Sequence, residues 1–521
     1  MPTCIRQPNL IRFSIALLMG FSNLAVAQES IEKSRSPTGS PLVQTKGALF
    51  EWGGSDRWTI VDSSRAGNSH IIDGSRFQAV SRFPQAWHFN DAIKRYADGA
   101  DPRVAVAVIA PGFGTHPEIE YASKDVSARF EPDEQLILAQ SGTFLAGVIG
   151  AKTDERGIEG CTPFARLFPV KLAITSNDAN RRDFVFFSQF VDSLTHVIFK
   201  ISDVRVVVTN VGLNWGQLNL SGAPDKADQD AIINQAILLE GVLKEANDRG
   251  ILIVSPAGNS SSPKRKLDAC WSSPINYLGL KGVKGHPPLE NILVVEATDL
   301  NRQPAHFSNV GGTVSAPGVD IMGLSLYDDR TFEPRSGYKI ESGTSAAAGQ
   351  VAALAVQMLA YNRKLKPEEV TSILKSHPTE RGDDSLAPPI DAYDALIKCR
   401  PNSWKDLADF DADGMIDRQD FLALQSAFRL RESHERTAKI LRRDFLALQS
   451  AFRLREFHEQ TSKILRADLN GDGVVDATRK ARLWHPESGE YRSVTDLEVL
   501  MAVWEDDEFA PAEDLKNCLV Q

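Results

Sequence analysis

Three stretches of this 521-residue chain hold residues whose types and spacing could do chemistry. In "ESGTSAAAGQVAALAVQML" (341–359), Ser345 follows Gly343 and Thr344 at the start of a small-residue helical pattern. Free N–H groups and the dipole at a helix start favour an oxyanion beside such a serine. Its hydroxyl becomes a useful nucleophile only when a neighbouring base takes its proton. "SPAGNSS" (255–261) ends an apolar run with Gly258 and Asn259, and an Asn amide there can donate to an oxyanion. "DFDADGMIDRQD" (409–420) has the calcium-loop spacing D-x-D-x-D-G-x-x-D-x-x-D. Asp409, Asp411 and Asp413 supply positions 1, 3 and 5, and Gly414 makes the turn. The Met415 carbonyl, Asp417 and Asp420 complete the ligand set. "DLNGDGVVD" (468–476) starts a second loop with Asp468, Asn470, Asp472, the Val474 carbonyl and Asp476. Its twelfth position is Arg479, which cannot ligate a cation. Residues 479–495 read as an insertion, with Asp496 as the displaced twelfth ligand.

The serine and the amide need a scaffold, and the hydrophobic pattern describes one. The β-branched runs 104–110, 164–172, 204–210, 251–258 and 291–299 are apolar on both faces, as in a parallel sheet covered by helices. Helical patterns over 142–151, 184–200, 226–249 and 344–360 alternate with them, and shorter ones at 367–377 and 391–398 close the unit. The expected fold is a doubly wound α/β domain over 83–398. A polar, weakly structured lead-in or propeptide remnant (28–82) precedes it, and a small α-helical calcium-binding domain (399–521) follows. The last region holds a tandem repeat: 420–443 returns almost unchanged as 444–467, which reads as a duplicated helix and linker.

Residues 1–27 have a basic start, a short apolar core and the small-x-small site Ala25–Ala27, the pattern of a signal peptide. The expectation is an exported protein, secreted, periplasmic or attached to the cell surface. No later apolar run reaches the roughly 18 residues of a transmembrane helix. A net charge of −10 and a pI near 5.6 argue against nucleic acid as a partner. In an oxidising compartment Cys161, Cys270, Cys399 and Cys518 allow three pairings, of which 161–270 with 399–518 suits the domain plan best. Four free thiols are the other possibility.

From about residue 83 to 398 the chain resembles the catalytic domain of the subtilases, the subtilisin-like serine peptidases. That family writes its serine box GTSMAAPHVAG, and this chain has GTSAAAGQVAA (343–353). AAGN is answered by "PAGN", and SFSNxG…APGxxI by "HFSNVGGTVSAPGVDI" (306–321). The resemblance implies Ser345 as nucleophile and Asn259 as oxyanion donor. It also implies a substrate-backbone segment at "NVGLNW" (210–215), which keeps Asn210 and Leu213 of the family's NMSLGG and departs from it at Gly212 and Asn214. The other two boxes depart. VAVIDTGVDxxHPEL is met by "VAVIAPGFGTHPEI" (106–119), so Ala110 replaces the aspartate. HGTHVAGIIA is met by "SGTFLAGVIGA" (141–151), so Ser141 replaces the histidine. Serine cannot act as a base near neutral pH, and alanine can orient nothing. His88, His116 and His306 have no spacing that makes them substitutes.

The region 404–505 resembles a dockerin, a paired EF-hand calcium module that docks on a cohesin. The resemblance implies Ca2+ and a cohesin-like protein partner. Three readings follow: a peptidase homologue that binds polypeptide through the old cleft, a serine endopeptidase with residual activity through Ser345 and Asn259, and an assembly component in which only the calcium module matters.

Overall fold

The computed structural model describes residues 49–52, 58–61, 71–73, 76–122, 141–153, 158–172, 175–177, 182–184, 187–213, 215, 221–283, 285–325, 337–377, 386–424, 469 and 480–503. The leader (1–27), the repeat beyond residue 424, Cys518 and the second-loop ligands Asp468, Asn470, Asp472, Val474 and Asp476 lie outside them.

The chain opens with β1 (Leu49–Trp52), β2 (Trp58–Val61) and β3 (Ile71–Asp73), paired antiparallel in one sheet. Helices α1 (Arg76–Val80), α2 (Phe83–Ala86) and α3 (Asn90–Tyr96) follow. The scaffold then runs β4 (Val104–Ala110), α4 (Ser141–Gly150), β5 (Ala165–Lys171), the short pair β6 (Thr175–Asn177) and β7 (Arg182–Phe184), and α5 (Phe187–Lys200). Next come β8 (Val204–Thr209), α6 (Lys226–Asp248), β9 (Leu252–Pro256), α7 (Pro274–Leu280), β10 (Ile292–Thr298) and β11 (Val314–Pro317). A hairpin of β12 (Ile321–Leu324) and β13 (Tyr338–Glu341) leads into α8 (Thr344–Tyr361), then α9 (Pro367–Lys375), α10 (Ala392–Cys399) and α11 (Ser403–Ala408). The hairpin β14 (Ala481–His485) and β15 (Glu490–Val494) and helix α12 (Asp496–Ala502) complete the described chain.

Strands β11-β10-β9-β8-β4-β5 form one six-stranded sheet, parallel at every pairing. This is the doubly wound α/β architecture read from the sequence: the five expected strands and the expected helices have bounds within three residues of those read, while β11 and α7 were not among them. Strand β4 shows why the runs are apolar throughout. Val104, Val106, Val108 and Ala110 enter one buried cluster, and Ala105, Ala107 and Ile109 enter the other. The first cluster is covered by α4 and α8, the second by α5, α6 and α7. Helix α8 is buried on all sides from Ala346 onward. Its alanines bring it close to the sheet. A Cβ on Gly349 would come within 2.7 Å of Leu145 Cδ1, so α4 and α8 cross tightly there.

Strand order reverses beside β4, which lies between β5 and β8, and ligands of open α/β sheets gather beyond the strand C-termini at such a reversal. Ala110 ends β4 there, and Asn210 N donates to Ile109 O at 2.9 Å just after β8.

Two expectations need correction. The lead-in read as weakly structured contains the β1–β3 sheet, and Phe77 is already part of the core before residue 83. The 161–270 disulfide is not formed: Cys161, Cys270 and Cys399 are free and buried. Cys161 packs in the α8-side cluster, while the residues around Cys270 (Leu267, Ala269, Ile275) pack in the cluster on the other side of the sheet. Compartment reasoning could not see that their surroundings pack in different clusters.

The core also continues through the expected boundary at 398/399. Trp404, Leu407, Ile416, Phe421, Leu424, Leu483 and Val499 belong to the same buried cluster as α8. Trp404 Nε1 donates to Trp484 O at 2.9 Å, and Lys398 Nζ to the Tyr491 hydroxyl at 2.7 Å. The segment read as a loop insertion is thus an ordered hairpin packed on α10 and α11. Among the described residues no helix is long and apolar enough to cross a membrane.

Candidate active site and calcium loop

Ser345 is the second residue of α8, and the start of that helix is held from outside. Gly343, its N-cap, offers no side chain. The cap comes from Asn259: its Oδ1 accepts from Thr344 N and from Thr344 Oγ1, both at 2.9 Å. Gly258 N donates to Thr344 Oγ1 at 3.1 Å. With Oδ1 committed, the amide turns Nδ2 toward Gly343, where an added Cβ would lie 3.2 Å away. Nδ2 makes no hydrogen bond among the described residues, so a donor is left beside Ser345. Thr344, the residue that orients the amide, was not singled out from sequence. Its only signal was its place between a glycine and the serine.

Gly258 has φ +99°, in the left-handed region. A Cβ there would come within 2.3 Å of Ser272 Oγ and 2.7 Å of Asn309 Nδ2. Those two groups form a hydrogen bond at 2.7 Å, and Asn309 Oδ1 accepts from Ser260 N at 3.1 Å. The turn carrying Asn259 is therefore pinned on both sides.

The other two positions reach the same end of the sheet. The loop after β4 is fastened to α4 by Gly142 N to Gly112 O at 2.8 Å and by Gly114 N to Thr143 Oγ1 at 2.7 Å. Ala110 is fully buried and brings only a methyl group. Ser141 begins α4, and its buried Oγ has no hydrogen-bond partner among the described residues. Gly112 follows β4 and Asn259 follows β9, so the bonds from Gly142 N to Gly112 O and from Thr344 N to Asn259 Oδ1 set the starts of α4 and α8 at the same, C-terminal edge of the sheet. Gln350, where the family box has histidine, is buried and donates Nε2 to Pro317 O at 2.5 Å. His116 lies in the loop after β4: its Nδ1 accepts from Glu118 N at 3.2 Å, and its ring meets Tyr338 edge-on. Burial pushes its pKa down to about 4, which outweighs a hydrogen bond from the ring to the Gly337 backbone that raises it, so the ring is neutral near pH 7.

Of the backbone segment, Leu213 N donates to Ser272 O at 2.7 Å, and Gly212 lies against the same carbonyl. Sequence reasoning missed Trp215. It is buried, its backbone N donates to Ser260 Oγ at 3.1 Å, and its indole N–H to Trp271 O at 3.0 Å. It ties the 210–215 segment to the turn that holds Asn259.

In the loop 409–420 the carboxylates of Asp409, Asp411 and Asp413 converge within 4.8 Å of one another. Gly414 (φ +91°) turns the chain so that its N–H donates to Asp409 Oδ2 at 3.0 Å. Met415 N donates to Asp413 Oδ1 at 2.7 Å. Asp420 accepts from Phe410 N at 2.7 Å and Asp417 N at 2.9 Å, which closes the loop on itself. Burial, with repulsion from Asp411 and Asp409 and against those two backbone donors, pushes its pKa up to about 6. An all-oxygen donor set of crowded carboxylates suits a hard divalent cation such as Ca2+. The Asp409 carboxylate also pairs with Arg95 of α3. Asp496 is buried as the first residue of α12, under a capping box of Thr495 and Glu498.

Fold and site together define a three-layer α/β domain with a serine and an oxyanion-type amide at the C-terminal edge of a parallel sheet. Residues 103–388 match the profile of the Subtilase family, which is more than half of the chain. The chain belongs to the subtilase family. It is 27% identical over 287 residues to Subtilisin Savinase of Lederbergia lenta, covering 54% of this chain and 86% of that protein. M-protease of Shouchella clausii (strain KSM-K16) is 27% identical over the same length, 61% of its own chain. Minor extracellular protease Epr of Bacillus subtilis (strain 168) is 25% identical over 257 residues, 31% of its length. This chain therefore spans less than two thirds of several of the relatives it matches.

Proposed function

We propose that this protein is an exported subtilase homologue with impaired peptidase chemistry, which binds polypeptide in the old cleft and is tethered by a C-terminal calcium-binding, dockerin-like segment. One observation carries the reading. The side chains that share the C-terminal edge of the sheet with Ser345 are a methyl group at Ala110 and a hydroxyl at Ser141, and neither can take the serine's proton. The Asn259 amide beside Ser345 and the Gly212–Leu213 backbone held against Ser272 O favour retained binding of polypeptide after loss of the base. Asp409, Asp411 and Asp413, with the Met415 carbonyl, Asp417 and Asp420, would hold one Ca2+, which supplies charge neutralisation to a crowded loop. The partner class for the calcium segment is a cohesin-like protein.

A second reading, a serine endopeptidase of residual activity, is favoured by the Asn259 Nδ2 donor left beside Ser345. Fluorophosphonate labelling alongside casein hydrolysis separates the two. The expected result is neither labelling nor turnover above a Ser345→Ala control. Labelling and turnover that both vanish in that control would establish the second reading.

A further inference from the structure

At the far end of α8 from Ser345, about 24 Å along the helix, the surface opens into a cavity of about 370 Å3. Its walls include Tyr96, Tyr361, Arg363, Lys364, Arg400 and Asn402, and no carboxylate lines it. In a chain of net charge −10, a pocket with three cations and no anion calls for a physical reason.

Two of the three cations are held in place. The Arg400 guanidinium stacks over the Tyr96 ring, 3.5 Å from its centroid, with Nη1 donating to Tyr361 O at 3.1 Å. Arg363 is tethered by Nη2 to Asp101 O at 2.5 Å. Each uses one N–H in this way, and a guanidinium carries five. Their remaining donors and the Lys364 ammonium make no hydrogen bond among the described residues. The Asn402 amide closes one side by donating to the Tyr96 hydroxyl at 2.6 Å. The buried carboxylate of Asp406 is hydrogen-bonded by Arg95, Tyr96 and Tyr361; the Arg400 charge also acts on it, without a hydrogen bond between them. The crowding of positive charge reaches a neighbour too: Arg205, bonded to Arg363 O, has its pKa lowered by burial and then by the Arg363 charge. The negative end of the α8 dipole, roughly half an elementary charge, opposes an anion here but is outweighed by three full charges.

We propose that this pocket is a binding site for a small oxyanion, a phosphate or carboxylate group, gripped by Arg400, Arg363 and Lys364. Arginine held flat on an aromatic ring presents its planar fork edge-on, the geometry that pairs with two oxygens of one group. The site does not depend on whether Ser345 is a working nucleophile or whether residues 409–420 hold calcium.

The test uses the full chain in calcium-free buffer, with thermal unfolding and calorimetric titration against inorganic phosphate and against succinate. Sodium chloride at matched ionic strength is the reference. One or both oxyanions should raise the unfolding temperature beyond chloride, and which one acts assigns the group. Lys364→Gln and Arg363→Gln should each weaken the apparent affinity roughly tenfold, the range expected for one charge-assisted contact. Lys226→Gln, on α6, should leave it unchanged. Arg400→Gln removes a contact to α8 and can cost stability, so the two outer variants decide the matter. Responses no larger than chloride for both anions, or binding that persists undiminished in the Lys364→Gln and Arg363→Gln double variant, would overturn the proposal.

Discussion

Placing an aspartate at position 110 and a histidine at position 141 is the sharpest probe of the proposed cleft. Ala110 is fully buried at the end of β4, so Ala110→Asp alone places an unpaired carboxylate out of water. An uncompensated buried charge costs about 3–5 kcal/mol. Ser141→His supplies an imidazole at the start of α4, tied to the β4 loop through Gly142 and Gly112. If the two positions face each other, the double variant is more stable than the sum of the single changes by about 2 kcal/mol, read by urea unfolding as a double-mutant cycle. Chemistry should follow. In subtilisin, a relative and the standard example, removing the base costs on the order of a million-fold in turnover. Imperfect restoration should still raise the rate of fluorophosphonate labelling at Ser345 at least about a thousandfold, roughly 4 kcal/mol of barrier. Strictly additive stabilities with no gain in labelling, in a folded double variant, would show that Ala110 and Ser141 do not stand where the aspartate and histidine belong.

Gly258→Ala should cost about 3 kcal/mol in urea unfolding, from a left-handed φ and a Cβ 2.3 Å from Ser272 Oγ; a loss under about 1 kcal/mol would mean that the turn holding Asn259 is not pinned. Because burial holds the His116 pKa at about 4, only the unfolded chain takes up that proton between about pH 6.5 and 4. Stability should therefore fall by about 3 kcal/mol as pH drops through that window, and His116→Phe should flatten this part of the profile. Calcium at roughly a hundred times a Kd of about 10⁻⁴ M should stabilise the chain by about 2.7 kcal/mol. Since Ile416 and Phe421 share the α8 core, the shift should move one common unfolding transition and vanish in Asp413→Ala; a separate low-temperature transition that alone responds to calcium would contradict the shared core.

Most of the scaffold was legible because its signal is local. A strand buried on both faces must be apolar at every position, as 104–110 is, and the helices between such strands carry their own period. The serine box and the two substitutions at Ala110 and Ser141 are likewise facts of composition at a position. The outer elements were harder. The β14–β15 hairpin has alternating polar faces and gains its stability from Trp404 and Lys398, nearly a hundred residues earlier in the chain. No pattern within the hairpin announces that contact.

The sequence by itself determined the α/β class, the ancestry of the serine box, the presence of alanine at 110 and serine at 141, and the oxygen-ligand spacing of residues 409–420. The tertiary structure alone decided that Asn259 caps Thr344 and so aims its free donor at Gly343. It also decided that Cys161 and the residues flanking Cys270 pack in different buried clusters, that Trp215 locks the 210–215 segment, and that the core runs unbroken past Cys399. The physical reason is one of range. Hydrophobic period and ligand spacing act within a few residues of chain, whereas a hydrogen bond between residues 259 and 344, or the packing of two thiols' surroundings in different clusters, exists only once distant segments have been brought together.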